Sequence, residues 1–249
     1  EQSQDDPLTG YRFAPMLERV IEPAPEKTRR IYTPRMRDQL VIRALHERVA
    51  KVAKAAGHPC GTEPPRRCAK RVITAGRNQG RHEILRGDIK DFYQSIPHEV
   101  VLHALDRLDL DPVANALVRQ LITETPLRPV YGGRQEQSVP TQGVPTGVSI
   151  AGLLADIVLT PVDHAIIGHP VTYVRFVDDI IIAGESTRDV QTAMESVIQS
   201  LKMRGLALNE EKTRVTTFEK GFSYLGFEFK GERVRVAPAR VEKWFRRLT

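Results

Sequence analysis

The sequence predicts a mixed α+β fold in which helices pack on an antiparallel sheet. Three observations predict it. Strand-like and helical stretches interleave without the regular βαβ period of a doubly wound sheet. Hairpin-like patterns recur in the second half. The pieces do not separate into two self-contained halves, and 249 residues suffice for one large domain with a substantial core.

Taken in order, "TPRMRDQLVIRALHERVAKVAKAAG" reads as a helix that Thr33 caps, Pro34 opens and Gly57 ends. Its apolar stripe is Leu40, Val41, Ala44, Leu45, Val49 and Val52. "GHPCGTEPPRR" is a loop by its glycine and proline content. "HEILRGDI" is a short strand, and "PHEVVLHALDRL" and "DPVANALVRQLIT" are two helices. "RPVYGGRQEQSVPTQGVPTG" is a hairpin-like and loop segment. The strongest helical pattern is "VSIAGLLADIVLTPVDHAII", with Ile150, Leu153, Leu154, Ile157, Val158, Val162 and Ile166 on one side. Pro161 should kink it or mark a restart. "VTYVRFVDDIII" reads as a β-hairpin, "TRDVQTAMESVIQSLKMRG" as an amphipathic helix, and "FSYLGFEFKGERVRVAP" as a hairpin turning at Lys230-Gly231-Glu232.

Thirty-seven Lys and Arg against 31 Asp and Glu give a formal charge of +6. The excess is clustered at Lys27–Arg37, at Arg66–Arg86 and at Lys230–Arg247, bracketing a less basic middle. One cluster alone reads as a solvated face; three suit a channel for a polyanion. Cys60 and Cys68 are the only cysteines, and their spacing with His58 and His82 matches no paired zinc pattern. A reducing, cytoplasmic setting is the default. The longest apolar run, "IAGLLADIVL", is too short to span a bilayer, so no membrane partner is expected. The acidic N-terminus has no signal-peptide pattern.

Asp178 and Asp179 interrupt an apolar, β-branched run at the expected hairpin tip Phe176-Val177-Asp178-Asp179. Hairpin tips favour Asn-Gly or Gly because the turn needs positive φ, and this tip offers neither. A locally disfavoured turn with paired carboxylates points to chemistry. Buried without compensation, the carboxylates would cost on the order of several kcal/mol. A divalent cation resolves the conflict, and magnesium takes one or two carboxylates plus substrate phosphates. Asp88 ends another strand and supplies a further acid. Adjacent strand residues face opposite ways, so Asp178 and Asp179 need not be equivalent.

The ordered motifs resemble those of prokaryotic reverse transcriptases of the group II intron, retron and phage-defence type. "RGDIKDFYQSI" resembles the first palm motif and "TQGVPTG" the Gln-Gly loop that contacts the incoming nucleotide. "RFVDD" resembles the Tyr-x-Asp-Asp motif, "GLALNEEKT" the motif that follows it, and "FSYLGFEF" the primer grip. "TRRIYTPRMRDQL" resembles the fingers segment that holds the triphosphate. The resemblance implies a right-hand polymerase: an antiparallel palm sheet packed on helices, fingers, and a mostly absent thumb. Residues 1–87 would be mainly fingers, 88–222 mainly palm with a fingers insertion at about 110–140, and 223–249 primer grip and start of thumb.

It further implies RNA-directed DNA polymerisation from dNTPs onto a nucleic-acid primer along an RNA or DNA template, in a retroelement or defence system. Template-independent or protein-primed synthesis would use the same motifs, and a catalytically silent nucleic-acid-binding module would show broken ones. Asp88, Asp178, Asp179 and Lys212 are the implied catalytic residues, with Asp88, Ile89, Asp178 and Asp179 contacting two Mg2+ ions for which Mn2+ could substitute. Arg29, Arg30, Tyr93, Gln142 and Gly143 would bind nucleotide, Tyr93 as the steric gate beneath the sugar and Phe92 as its buried neighbour. Leu225 and Gly226 would shape the primer grip. The sequence departs from the family at Phe176 for Tyr, at Val177 for Ala and at Gly147 where intron enzymes carry Ser-Pro, which favours a retron-like or defence-associated member. The Phe-Arg-Pro fingers motif is not evident in "GTEPPRRCAKR". Because the sequence ends soon after the primer grip, a protein or RNA partner would complete the thumb unless the chain is a fragment.

Overall fold

The computed structural model describes residues 10–24, 27–60, 63–130, 137–231 and 233–245. Part of the expected hairpin-like segment (131–136), Glu232 of the expected final turn, and the end of the C-terminal basic run (246–249) lie outside them. The chain divides into two compact units, one of residues 1–61 and 91–160, the other of 62–90 and 161–249.

The first unit opens with β1 (Met16–Ala24) and β2 (Lys27–Thr33), an antiparallel ribbon that the sequence pattern did not announce. β1 also pairs in parallel with β4 (Leu127–Pro129). Helix α1 (Met36–Ala55) starts later than expected, because Thr33 is the last residue of β2 and the cap position falls to Arg35 without a side-chain bond. Its buried face is also rotated from the apolar stripe read from sequence: Asp38, Ile42, Leu45, Val49 and Ala53 are buried, while Leu40 is exposed. Asp38 accounts for the difference. Its carboxylate accepts from the Tyr11 hydroxyl at 2.5 Å and from the Ala14 N–H at 3.1 Å, which ties the segment before β1 to α1. Helices α3 (Phe92–Ser95), α4 (His98–Asp106) and α5 (Pro112–Thr123) follow, α5 capped by Asp111 accepting from the Ala114 N–H. Leu127 and Ser138 form the bridge that closes the hairpin-like segment. Helix α6 (Ala151–His164) begins in this unit and runs through Pro161 into residues of the second; its predicted stripe is buried, with Ile150 and Ile166 just outside the helix.

The second unit holds a four-stranded antiparallel sheet, ordered β5 (Thr172–Phe176), β6 (Asp179–Gly184), β3 (Glu83–Asp88) and β7 (Arg214–Thr217). Helix α2 (Pro65–Gln79) has its first turn inside the segment whose glycine and proline content predicts a loop. Its outward residues Arg66, Arg67 and Lys70 are charged, yet Cys68, Ala69, Val72, Ala75 and Gly76 form an apolar face, and Pro65 at the first turn is a helix-start signal. That face packs with Ile84, Val174, Ile181 and Ala183 of the sheet. Helix α7 (Thr187–Lys202) packs against β3 and β6, with Met194 reaching to within 3.2 Å of where a Cβ on Gly87 would stand. Cover on both faces explains the continuous run Ile180-Ile181-Ile182-Ala183, all fully buried.

The expected final hairpin is a three-stranded meander, β8 (Phe222–Tyr224), β9 (Phe227–Lys230) and β10 (Arg233–Val236), followed by α8 (Pro238–Phe245). The additional turn is Leu225-Gly226, with φ of +50° and +77°, the backbone of a two-residue hairpin loop. Among the described residues no helix is long and apolar enough to cross a membrane.

Candidate active site

β3 and β6 pair antiparallel in a register that places Asp88 directly opposite Asp179. Like charges directly opposite destabilise a sheet, so this pairing needs counter-charge. Each carboxylate has one: Lys212 Nζ lies 2.7 Å from Asp88 Oδ2, and Arg86 NH2 lies 2.8 Å from Asp179 Oδ1. Arg86 sits two residues before Asp88 on the same strand and therefore on the same face. Its guanidinium also donates to the Ser223 carbonyl of β8 at 2.9 Å, linking Asp179 to the meander.

Asp178 lies beyond the strands. Phe176 pairs with Asp179, which leaves Val177-Asp178 as a two-residue loop. Val177 adopts φ of +59°, a genuine outlier for a β-branched residue that costs roughly 1–2 kcal/mol. The turn therefore carries the strain that its lack of Gly or Asn led one to expect. Burial pushes the Asp178 carboxyl above the ordinary carboxylate range, and the charges of Asp88 and Asp179 add to the shift, while Lys212 opposes it. Among the described residues Asp178 forms no ion pair.

The Ile89 side chain is buried, so only its backbone carbonyl could reach an ion. Its N–H donates to the Asp178 carbonyl at 3.0 Å, which joins β3 to the loop. Lys212 is placed by a 3-10 turn, Glu210–Lys212, which the Asn209 side chain caps. The Asn209 N–H donates to the Asp88 carbonyl at 2.7 Å. Asp91 caps α3 by position alone, in the left-handed region and without a side-chain bond.

Among the described residues no three His, Cys, Asp or Glu side chains are grouped as a ready metal cage. Magnesium does not demand one, since it commonly binds one or two carboxylates and draws the rest of its oxygens from water and substrate phosphates. The three aspartates fit that chemistry: all are hard oxygen donors, and the mutual repulsion and burial that raise Asp178 are relieved by a cation.

The first unit carries the predicted nucleotide-binding residues. Arg29 and Arg30 are adjacent on β2 and so point to opposite faces. Arg30 pairs with Glu18 at 2.9 Å and lines a cavity of about 160 Å³ with Tyr32, Gln94, Gln142 and Gly143; Arg29 does not line it. Phe92 is buried and Tyr93 half-buried. Gln142 is exposed and bridges to Pro97. Gly143 has φ of +94°, and a Cβ there would stand 3.0 Å from the Gln94 carbonyl oxygen. The close approach that this glycine permits is thus to its own chain. Its N–H donates to the Ile96 carbonyl at 2.8 Å, and its carbonyl lies 2.9 Å from His98 Nε2. A carbonyl only accepts, so His98 is the Nε2–H tautomer, and burial holds its imidazole below the ordinary range.

Leu225 and Gly226 form the β8–β9 turn. The Leu225 carbonyl accepts from Arg240 NH1 at 2.7 Å, and the Arg240 stem fills the place of a Gly226 Cβ. Sequence reasoning missed Arg86, Arg175, His98 and Arg240. The i, i+2 spacing to Asp88 could have found Arg86; His98 and Arg240 depend on contacts distant in sequence, and Arg175 on a partner twelve residues back.

An antiparallel sheet carrying paired aspartates, with helices on both faces, is the palm architecture of template-directed polymerases. The fold is similar to that of the telomerase of Candida tropicalis bound to a fragment of telomeric RNA, with a TM-score of 0.69 at 15% identity, covering 90% of this chain and 45% of that one. It is likewise similar to the RNA-dependent RNA polymerase of a human picobirnavirus, with a TM-score of 0.60 at 18% identity over 88% of this chain and 43% of that one. The sequence model described as reverse transcriptase (RNA-dependent DNA polymerase) matches residues 20–229, and the chain belongs to that family. The retron Mx65 reverse transcriptase of Myxococcus xanthus is 28% identical over an alignment of 151 positions that covers 57% of this chain and 34% of that protein. Protein YkfC of Escherichia coli K12 is 23% identical across 96% of this chain and 73% of its own length. The chain thus spans about a third of the retron enzyme's length.

Proposed function

We propose that this protein is an RNA-directed DNA polymerase, transferring a nucleotide from a dNTP to a primer 3′-hydroxyl. The observation that carries the reading is the meeting of Asp88, Asp178 and Asp179 at one end of one antiparallel sheet, in a chain of the reverse transcriptase family. Asp88, the Ile89 carbonyl and Asp178 would hold Mg2+, or Mn2+ in its place, with Asp179 nearby. The ions would supply Lewis-acid activation of the 3′-hydroxyl and charge neutralisation at the phosphates. In the transfer the 3′-oxygen bonds to the α-phosphorus, its proton is released, and the bond to pyrophosphate breaks. Lys212, the cation already at Asp88, is the group suited to protonate the departing pyrophosphate. Arg86 holds Asp179 and keeps two facing carboxylates compatible with a folded sheet. Likeness to the retron enzyme supports a retroelement or phage-defence setting, with an RNA template as partner.

Primer extension on an RNA template with all four dNTPs, run beside a reaction without template, tests the reading. Template-dependent products support it. Products without template would favour untemplated synthesis, and no products from the intact chain with Mg2+ or Mn2+ would refute polymerase activity.

Sugar choice gives a separate expectation. An apolar pocket rejects an added hydroxyl by only roughly 10²-fold, so a steric wall is needed for more. With Tyr93 as that wall, Tyr93→Ala should raise ribonucleotide use relative to deoxyribonucleotide use and retain polymerisation. Phe92→Ala should mainly lower stability, by about 3–5 kcal/mol for a buried aromatic. Competition between rNTP and dNTP on one template, with thermal melts of both variants, checks the pair. Relaxed sugar choice in the Phe92 variant alone would reverse the assignments.

A further inference from the structure

We propose that Arg175 is a positioning residue for Asp178, gripping the carbonyl that precedes it through a partly buried network with Asp163 and Tyr173. The inference rests on the polymerase reading for its meaning but on the loop geometry for its content. Val177 occupies a left-handed backbone conformation that a β-branched residue avoids, so the loop needs an external hold. Arg175 NH1 donates to the Val177 carbonyl at 3.0 Å. The same guanidinium is fixed by a fork to Asp163, with Nε to Oδ1 and NH2 to Oδ2 both at 2.7 Å. The Tyr173 hydroxyl donates to Asp163 Oδ1 at 2.8 Å.

The Arg175 side chain is only 7% exposed, against 22% for Asp163. A buried ion pair is weak evidence for stability, because desolvation offsets much of its attraction, and specificity of arrangement is the better-attested use. Here the arrangement has an address. The Val177 carbonyl belongs to the peptide plane that also contains the Asp178 N–H, so fixing one fixes the orientation from which the Asp178 side chain departs. On the far side, the Asp178 carbonyl accepts from the Ile89 N–H at 3.0 Å. Asp178 is therefore gripped through both flanking peptides, by a side chain on one side and by β3 on the other. Burial and the Asp163 charge push the Tyr173 phenol above its ordinary value, so it remains a donor to the network. Tyr173 and Arg175 are two apart on β5 and share a face, as reaching one carboxylate requires.

Arg175→Lys tests the assignment. Lysine retains the charge for Asp163 but lacks the planar fork that serves carboxylate and carbonyl together. The variant should melt close to the parent and keep its KM for dNTP within about threefold, while kcat falls about 10–100-fold, as misplacement near the chemistry predicts. Amide hydrogen exchange supplies a readout independent of catalysis: the Ile89 N–H should exchange at least about tenfold faster, with the Ile181 and Ile182 amides unchanged. Unchanged kcat with an unchanged Ile89 rate would overturn the proposal, and so would a uniform rise across β6. If Arg175→Lys does not fold, the paired variant Asp163→Leu with Arg175→Met, which buries no charge, decides. The same local signature supports the proposal, and parental kcat and exchange, or failure to fold, overturns it. If the parent itself extends no primer, the polymerase reading fails while the Ile89 exchange still reports on the grip.

Discussion

Asp178→Asn should abolish primer extension while leaving the protein at least as stable as its parent near neutral pH. Loss of a group acting directly on reacting charge costs on the order of 10²–10³-fold or more in kcat. Stability should move the other way because Asp178 is a raised carboxyl in the folded chain. Its folded value lies above its unfolded value, so at a pH above both the charged group opposes folding. That penalty fades as pH falls through the folded value and is gone below the unfolded one. The Asn variant removes the penalty, so its advantage in Tm is largest near neutral pH and vanishes in acid. Millimolar Mg2+ should raise the parent's Tm and raise the variant's less, since a cation binding the folded state stabilises it. Thermal melts from pH 4 to 8 with and without Mg2+, beside primer extension, check all three statements. Near-parental turnover, or a variant less stable than the parent at pH 7, would sink the account. Asp179→Asn should be equally or less damaging to turnover, because Asp179 is held by Arg86.

The site was legible where the chemistry conflicts with the local fold. Asp178 and Asp179 stood out because an apolar run has no folding reason for them, and the strained Val177 is the structural form of that conflict. The order of the motifs carried Asp88, Lys212 and the Gln142-Gly143 loop, of which Asp88 and Lys212 meet in an ion pair. The stripe of α6 was legible because its apolar residues recur at helical spacing, although Ala151, Ala155, Leu159 and Thr160 outside it are buried as well. α1 was misread for the opposite reason: a fully buried Asp38 is satisfied by Tyr11 and Ala14, residues more than 20 positions away, and no periodicity signals that. α2 was obscured by its basic outer face, and the ribbon β1–β2 by charged residues along both strands. The meander turn at Leu225-Gly226 sat inside a quoted motif, yet Leu225 at φ of +50° is not a residue that announces a turn. Arg175 escaped although its partners are near in sequence, because no periodicity signals their meeting. Its partners Asp163 and Val177 are fixed by strand pairing and by the path of the chain after α6.

Gly143→Ala should impair nucleotide binding out of proportion to its cost in stability. The backbone conformation at φ of +94° costs a residue with a Cβ about 1–3 kcal/mol. The added Cβ would also stand 3.0 Å from the Gln94 oxygen and 3.3 Å from the Tyr93 oxygen, both backbone atoms that cannot swing aside. Relief requires the Gln142-Gly143 loop and the Tyr93-Gln94 turn to separate. That motion pulls at the bonds that join them: Gly143 N–H to Ile96, Val144 N–H to Tyr93 at 2.7 Å, and His98 to the Gly143 carbonyl. Both proposed nucleotide contacts, Gln142 and Tyr93, shift together. A loss of about 1.4 kcal/mol in binding is tenfold, and the dNTP KM should rise by about that factor or more. Discrimination against ribonucleotides should fall in the same variant. Gly168→Ala provides the control. Gly168 has nearly the same φ, +93°, but a Cβ there meets nothing within 4 Å. It should therefore show the conformational cost in a thermal melt with KM and sugar choice unchanged. Should Gly143→Ala behave like Gly168→Ala, losing Tm alone, the loop would be a folding device and Gln142 no part of a nucleotide site.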